Sequence, residues 1–190
     1  YLHMPFQAGS DRVLRRMARG YSRSRYLDVI ARLRDARPEL SFSTDVIVGF
    51  PGESEADFED TLRLVEEVRF GQLYGFVFSP RRGTAAAVLG ERVPREVAKA
   101  RIERLFAVQG EIQLDLNRAL VGRTVEVLVD GPARRGGGRW QGRGRDNRVV
   151  NFDGWPGLAA GQLVRVEGTG ASAHALLGRG AANTGAGESP

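Results

Sequence analysis

The stretch Ile47-Val48-Gly49-Phe50-Pro51-Gly52-Glu53 has residue types suited to holding a ligand. Two glycines at a strand-to-helix crossing let backbone approach a bound molecule closely. The crossing falls at a strand's carboxyl end, where open α/β folds keep their sites. On these residues alone, a plain strand–turn–helix connection explains the stretch equally well. Gln7 and Ser10, at the end of a short strand, are candidate polar contacts, although Ser10 could equally cap a helix. Asp45 lies inside the strand that leads to the glycine turn. A carboxylate there is costly unless paired, so a ligand hydroxyl or an arginine is its expected partner. Arg81 and Arg82, beyond a third strand, could hold an anion or phosphate. Glu53 reads as a helix-start residue rather than a general base. His3 has no carboxylate or second histidine near it in the sequence, so it implies no metal site, and His174 reads as incidental. No Ser/His/Asp arrangement, carboxylate pair or P-loop pattern appears. These residues predict a cofactor mouth with no catalytic residue and no metal ligand of its own.

A second chemistry is written further along. Arg134, Arg135, Arg139, Arg143, Arg145 and Arg148 fall in a short span, broken by one acid, Asp146, with Trp140 and Asn147 between them. Arginine interleaved with an aromatic residue on a small β-barrel is a recurring surface for single-stranded nucleic acid. A solvated hairpin is the bland alternative.

The elements that position these groups follow from periodicity. Residues 2–7 read as a short buried strand. A helix opened by Ser10 and Asp11 carries Val13, Leu14 and Met17 and stops at Gly20. A second helix has Tyr26, Leu27, Ile30 and Leu33 as its stripe and ends before Pro38. A strand over 40–48 leads to a helix over 54–68, opened by Ser54 with Glu55 and Asp57 in its first turn. A third strand over 72–78 is followed by a loop and a long helix from Pro94 to about Leu120. Strands alternating with amphipathic helices imply a parallel sheet with right-handed crossovers. Three such units cannot close a barrel but could form half of one. After Val121-Gly122 the pattern changes to short strands with Gly/Pro turns: 124–129, a region within 139–152, 162–167 and 174–177. That reads as a small all-β barrel. The expected domains are 1–120, 121–180 and a disordered tail over 181–190.

Composition narrows the class. Of 190 residues, 42% are hydrophobic, which is enough for packed cores. The net charge is +5, and Lys99 is the only lysine, so the basic chemistry is that of arginine, the bidentate phosphate ligand. The chain has no cysteine. That excludes a disulfide scaffold, a thiolate zinc site and an iron–sulfur cluster held by cysteines of this chain. No apolar run approaches membrane-spanning length, so a soluble cytoplasmic protein is expected. Tyr1-Leu2-His3-Met4-Pro5-Phe6 looks like the middle of a strand, so the chain is expected to begin inside a larger protein.

Five segments together resemble the radical S-adenosylmethionine methylthiotransferases, most closely the MiaB-type tRNA enzymes. They are HMPFQAGSDRVLRRMARGYSRSRY (3–26), STDVIVGFPGESEADFEDT (43–61), FSPRRGTAA (78–86), GRTVEVLVDGP (122–132) and GRGRDNRVVNFDG (142–154). The resemblance implies an enzyme that adds a methylthio group at C2 of N6-isopentenyladenosine, beside the anticodon of tRNA. It implies S-adenosylmethionine as methyl donor and radical source, and two 4Fe–4S clusters whose ligands lie outside this chain. A TRAM domain would grip tRNA. An electron donor such as a flavodoxin or ferredoxin would serve a monomeric enzyme with no membrane partner. The implied fold class is α/β, a partial radical SAM (TIM-like) barrel of three βα units, followed by a small all-β TRAM barrel. Such a chain alone would be inactive.

Carried over by motif, Gln7 and Ser10 would lie near the cofactor. Asp45 with Val48, Gly49 and Phe50 would line it, and Phe78 and Arg81 would stand at the last strand's mouth. Arg143, Arg145, Asn147 and Arg148 would meet RNA. Ala8 stands where serine is usual, and Arg82 and Ala85 stand where prolines are usual. Two other substrates remain open for such an enzyme, a threonylcarbamoyladenosine-bearing tRNA and a ribosomal protein. A stand-alone RNA-binding module without catalytic activity is the rival of a different class.

Overall fold

The computed structural model describes residues 1–133 and 137–181. Arg134 and Arg135 of the basic cluster, and all of the expected tail beyond Ala181, lie outside the described residues. The chain forms two compact units, Tyr1–Ile112 and Gln113–Pro190. The division falls before the expected position 120 because the end of the long helix is tied into the second unit. There Asn117 Nδ2 donates to the Ser172 carbonyl at 2.6 Å.

The first unit runs β1 (Leu2–His3), α1 (Asp11–Arg16), α2 (Arg23–Ala36), β2 (Phe42–Val48), α3 (Glu55–Val68) and β3 (Gln72–Val77). A short 3-10 turn (Ala85–Val88) and the start of α4 (Arg95–Arg118) follow. The sheet order is β1-β2-β3, and both pairings are parallel, as the βα alternation predicts. β2 is central, and Phe42, Thr44, Val46 and Val48 form its fully buried face. β1 departs from the expected buried strand over 2–7. It is an edge strand with Leu2 exposed, and Pro5 offers no N–H to the ladder. Pairing resumes at Gln7, whose N–H donates to Asp45 O at 3.0 Å and whose carbonyl accepts from Ile47 N at 2.9 Å.

α3 begins as expected, with Ser54 and Asp57 forming a capping box. Phe58, Leu62, Leu64, Val65 and Val68 turn its apolar side inward. The turn before α1 lies hard against α3. A Cβ on Gly9 would sit 2.4 Å from Asp60 O, and the Gly9 N–H donates to Thr61 Oγ1 at 2.9 Å. Gly9→Ala is therefore expected to cost about 1–3 kcal/mol through forced backbone movement. An unchanged thermal midpoint would count against that close approach. α1 ends at Arg16, ahead of the expected Gly20, and Ala18 takes the left-handed conformation at φ 55°.

The second unit is a closed barrel of β4 (Thr124–Pro132), β5 (Trp140–Gly144), β6 (Val149–Asp153), β7 (Leu163–Ala171) and β8 (Leu176–Gly180). Its strand order is β4-β5-β6-β8-β7. Val127, Val129, Val150, Phe152, Leu158, Val166 and Leu176 fill the interior. The small β-barrel read from the sequence is present, with one more strand than expected. The 139–152 region is a hairpin of two strands, closed by Gly144 N donating to Arg148 O at 2.9 Å, with Asn147 at φ 62°. No helix among the described residues is long and apolar enough to cross a membrane.

Candidate cofactor mouth and nucleic-acid face

The parallel register sets two different faces on the first unit's sheet. Ser43, Asp45 and Ile47 of β2 alternate away from the buried residues and lie beside Gln72, Tyr74 and Phe76 of β3. Tyr74 and Phe76 are 44% and 53% exposed, so this face presents aromatic surface. His3, beside Ser43 in register, completes it. His3 Nε2 lies 3.6 Å from Asp45 Oδ2, and its Nδ1 is 2.7 Å from Ser43 Oγ, whose hydroxyl donates to the Tyr1 hydroxyl at 2.7 Å. The His3 and Tyr74 rings meet edge to face at 6.0 Å.

This overturns two expectations. His3 does have a carboxylate neighbour, and a serine, a histidine and an aspartate do come together. The partners are about forty residues apart in the chain and become adjacent only through strand register. The arrangement is not that of a hydrolytic triad, because Ser43 is fully buried and has no path to a substrate. Asp45 is paired with His3 rather than with the arginine expected. Its half-exposed carboxylate remains open to a ligand hydroxyl.

The glycine turn packs closely against the protein itself. Gly49 has φ 73°, and a Cβ there would lie 2.8 Å from Ala98 Cβ on α4. Gly52 has φ 81°, with Glu91 and Arg16 side chains within 3 Å of its missing Cβ. Val48 and Phe50 are buried, and Phe50 packs edge to face on Phe78 at 5.0 Å. Ala8, in the position where serine is usual, joins that apolar cluster with Val13 and Leu14.

Glu53 does more than start a helix. Its Oε2 accepts from Gly49 N at 2.6 Å and from Arg101 Nη1 at 2.8 Å, which anchors the turn from behind. Burial pushes the Glu53 carboxyl above its usual range, against the Gly49 and Arg101 bonds that lower it. Ser10 does not cap α1 with its side chain. Its hydroxyl donates to Asp57 Oδ1 at 2.5 Å, where Arg12 and Ser54 converge on the same carboxylate. Gln7 is 9% exposed and held at φ 70° by its two backbone bonds. Arg81 is exposed in a turn whose carbonyl accepts from Thr84 Oγ1 at 2.7 Å.

The four arginine-cluster candidates separate on the barrel. Arg145 is 83% exposed and pairs with Glu126 at 2.6 Å. Arg143 is half-exposed, 3.6 Å from Asp130. Arg148 is turned inward with its side chain 15% exposed, bound to Asp146 at 2.9 Å and to Asn117 Oδ1. Asn147 supplies the left-handed turn residue, a conformation that asparagine tolerates. Trp140 packs against the core and over Gly154, where a Cβ would meet its ring at 2.2 Å. No group of three or more metal-ligating side chains occurs among the described residues.

Residues 1–65 match the radical SAM superfamily model. Over 94% of its length the chain is 48% identical to a tRNA-2-methylthio-N(6)-dimethylallyladenosine synthase of Moorella thermoacetica. Synthases of the same name from Trichlorobacter lovleyi and Thermobifida fusca are 49% and 48% identical over 93% of the chain. This chain is kin to the radical SAM tRNA methylthiotransferases. It spans about 40% of the length of the curated relatives it matches. Against these methylthiotransferases, the matched superfamily segment takes in β1, β2, the glycine turn and most of α3.

Proposed function

We propose that this chain supplies the cofactor-facing sheet and the RNA-gripping barrel of an enzyme that methylthiolates C2 of N6-isopentenyladenosine, beside the tRNA anticodon. The observation that carries this reading is the likeness to dimethylallyladenosine synthases over 94% of the chain. On this reading the first unit is three βα units of a radical SAM barrel and the second is a TRAM barrel. The 4Fe–4S clusters of such an enzyme need thiolates. This chain has no cysteine, so its own residues do not fit them and the chain alone is inactive. A flavodoxin- or ferredoxin-like protein would be the redox partner.

The adenosyl cofactor fits better. The half-exposed Asp45 carboxylate, steadied by His3, can accept hydrogen bonds from ribose hydroxyls, and Tyr74 and Phe76 offer aromatic surface for a base. S-adenosylmethionine supplies the methyl group and the radical chemistry; the protein's part is to bind, orient and exclude water.

Disrupting the gene and analysing tRNA nucleosides by mass spectrometry tests the reading. N6-isopentenyladenosine should accumulate in place of its 2-methylthio form. Persistence of the 2-methylthio form would sink the proposal, and a loss confined to 2-methylthio-threonylcarbamoyladenosine would move it to that substrate.

The barrel makes its own prediction. Arg145→Ala should lower the salt slope of tRNA binding by about 0.7–0.9, the value of one lost phosphate contact. Arg148→Ala should instead lower the barrel's melting temperature, because it takes the guanidinium from the buried Asn117 Oδ1 and the partly buried Asp146 carboxylate. Equal slopes for Arg145→Ala and the unsubstituted chain would remove Arg145 from the interface.

A further inference from the structure

The outer face of the barrel continues beyond the arginine hairpin. Leu128 on β4 pairs with Arg143 on β5 and with Leu163 on β7, and Glu126 pairs with Arg165. These residues alternate with the buried Val127 and Val166, so they share the solvent side. Leu128 and Leu163 are 47% and 61% exposed, an apolar strip flanked by Arg143, Arg145 and Arg165. At its far end lies a cavity of about 780 Å³, lined by Trp155, Arg165, Leu163, Thr124 and Gly180 among others. That volume is within the usual span of small-ligand sites, about 300–1,000 Å³.

Trp155 is the exposed indole of this unit. It packs on Phe152 at 5.9 Å, and its ring occupies the space a side chain at Gly180 would need, 2.6 Å from that Cβ position. The indole is thus seated from below and 39% exposed above. The nearby acids are already matched: Glu126 by Arg145, Glu167 by Arg179, and Asp153 by Arg139 at 3.5 Å. Among the described residues, no carboxylate pairs with Arg165.

We propose that Trp155 and Arg165 form a nucleobase-and-phosphate subsite for single-stranded RNA. It is continuous with Arg143 and Arg145 across the outer face of β5, β4 and β7. The subsite rests on the RNA-binding reading above and adds a position to it. A seated, half-exposed indole offers a stacking platform for any base, and an unpaired guanidinium beside it suits the adjoining phosphate. The apolar Leu128–Leu163 strip accommodates the sugar and base surface between the two ends. Charge complementarity selects a polyanion, and the indole selects one with bases.

The test uses the full chain and a fluorescein-labelled oligoadenylate, with anisotropy titrations at several salt concentrations. Trp155→Ala should weaken binding about 5- to 150-fold, the range for one lost stack, whereas Trp155→Phe should retain most of it. Arg165→Ala should reduce the salt slope by about 0.7. In a Trp140→Phe background, oligoadenylate should quench the remaining indole emission. If Trp155→Ala and Arg165→Ala leave binding unchanged while Arg145→Ala weakens it, the subsite is overturned and the RNA reading stands. If the unsubstituted chain binds no oligoadenylate and no tRNA, both fall. Absence of quenching overturns the stacking role even if Trp155→Ala fails to fold. Displacement of the RNA by polyglutamate at equal charge would reduce the face to a general cation patch and overturn base recognition.

Discussion

Arg101→Ala is expected to lower the stability of the first unit by about 3–5 kcal/mol, the cost of leaving a buried charge without its partner. The Arg101 and Glu53 side chains are 6% and 1% exposed, and they meet at 2.8 Å. The guanidinium also donates to the Glu53 carbonyl at 3.1 Å and to Glu55 at 3.1 and 3.2 Å, and it lies over the Phe58 ring. Once Arg101 is removed, Glu53 keeps the Gly49 N–H as its only partner, and its Oε1 already has none among the described residues. Burial already raises this carboxyl's proton affinity, so it should take up a proton in the variant. Glu53→Gln combined with Arg101→Ala should therefore cost less than the sum of the two single changes. Urea unfolding followed by circular dichroism measures all three. A loss below about 1 kcal/mol for Arg101→Ala would show that the pair contributes little beyond its packing.

The second large effect is expected at Asp57, and it carries a pH signature. The carboxylate is 6% exposed. Burial alone would raise its proton affinity, but hydrogen bonds from Arg12, Ser10 and Ser54 outweigh that and hold it well below the usual carboxylate range. A depressed folded-state value means that the ionised group stabilises the fold above its ordinary unfolded value of about 4. That contribution drains as the pH falls below it. Asp57→Asn should cost about 2–3 kcal/mol at pH 7, since charge-assisted bonds to a buried acceptor are lost. The gap to the unsubstituted protein should narrow as the pH falls below about 4, because the aspartate of the unfolded chain takes up a proton there while the folded carboxylate stays ionised. A gap that does not change with pH would mean that the cluster's stability comes from shape and neutral hydrogen bonds.

Both predictions concern residues that fasten loops at the carboxyl ends of the strands. Arg101 and Glu53 fasten the glycine turn, and Asp57 fastens the loop from Gly9 to Arg12 against α3. Their roles were only partly legible beforehand. Ser54 and Asp57 announced a helix start through spacing alone, because a cap is made between residues three apart. That the same Asp57 also gathers Ser10 and Arg12 depends on contacts more than forty residues away.

The arginine cluster shows the same division. Its composition marked a basic stretch, which in the described residues folds as the β5–β6 hairpin. Its individual members looked equivalent until the hairpin turn and the end of α4 placed Arg148 inward and left Arg145 outward. Trp140 looked like the aromatic partner because it lies among the arginines in sequence, whereas the exposed indole is Trp155, seated over Gly180 of β8.

The sequence by itself determined the βα alternation, the parallel sheet, the helix starts, the change to an all-β unit and the family likeness. Each of these rests on local periodicity or on motifs read in order. Tertiary structure alone decided that Gly49 makes room for α4 and Gly52 for the Glu91 and Arg16 side chains. It likewise decided that His3 meets Asp45 and Ser43, and that the barrel closes through a parallel β6–β8 pair. These are contacts between residues distant in the chain. Strand register and helix packing settle them, and neither leaves a periodic trace in the sequence.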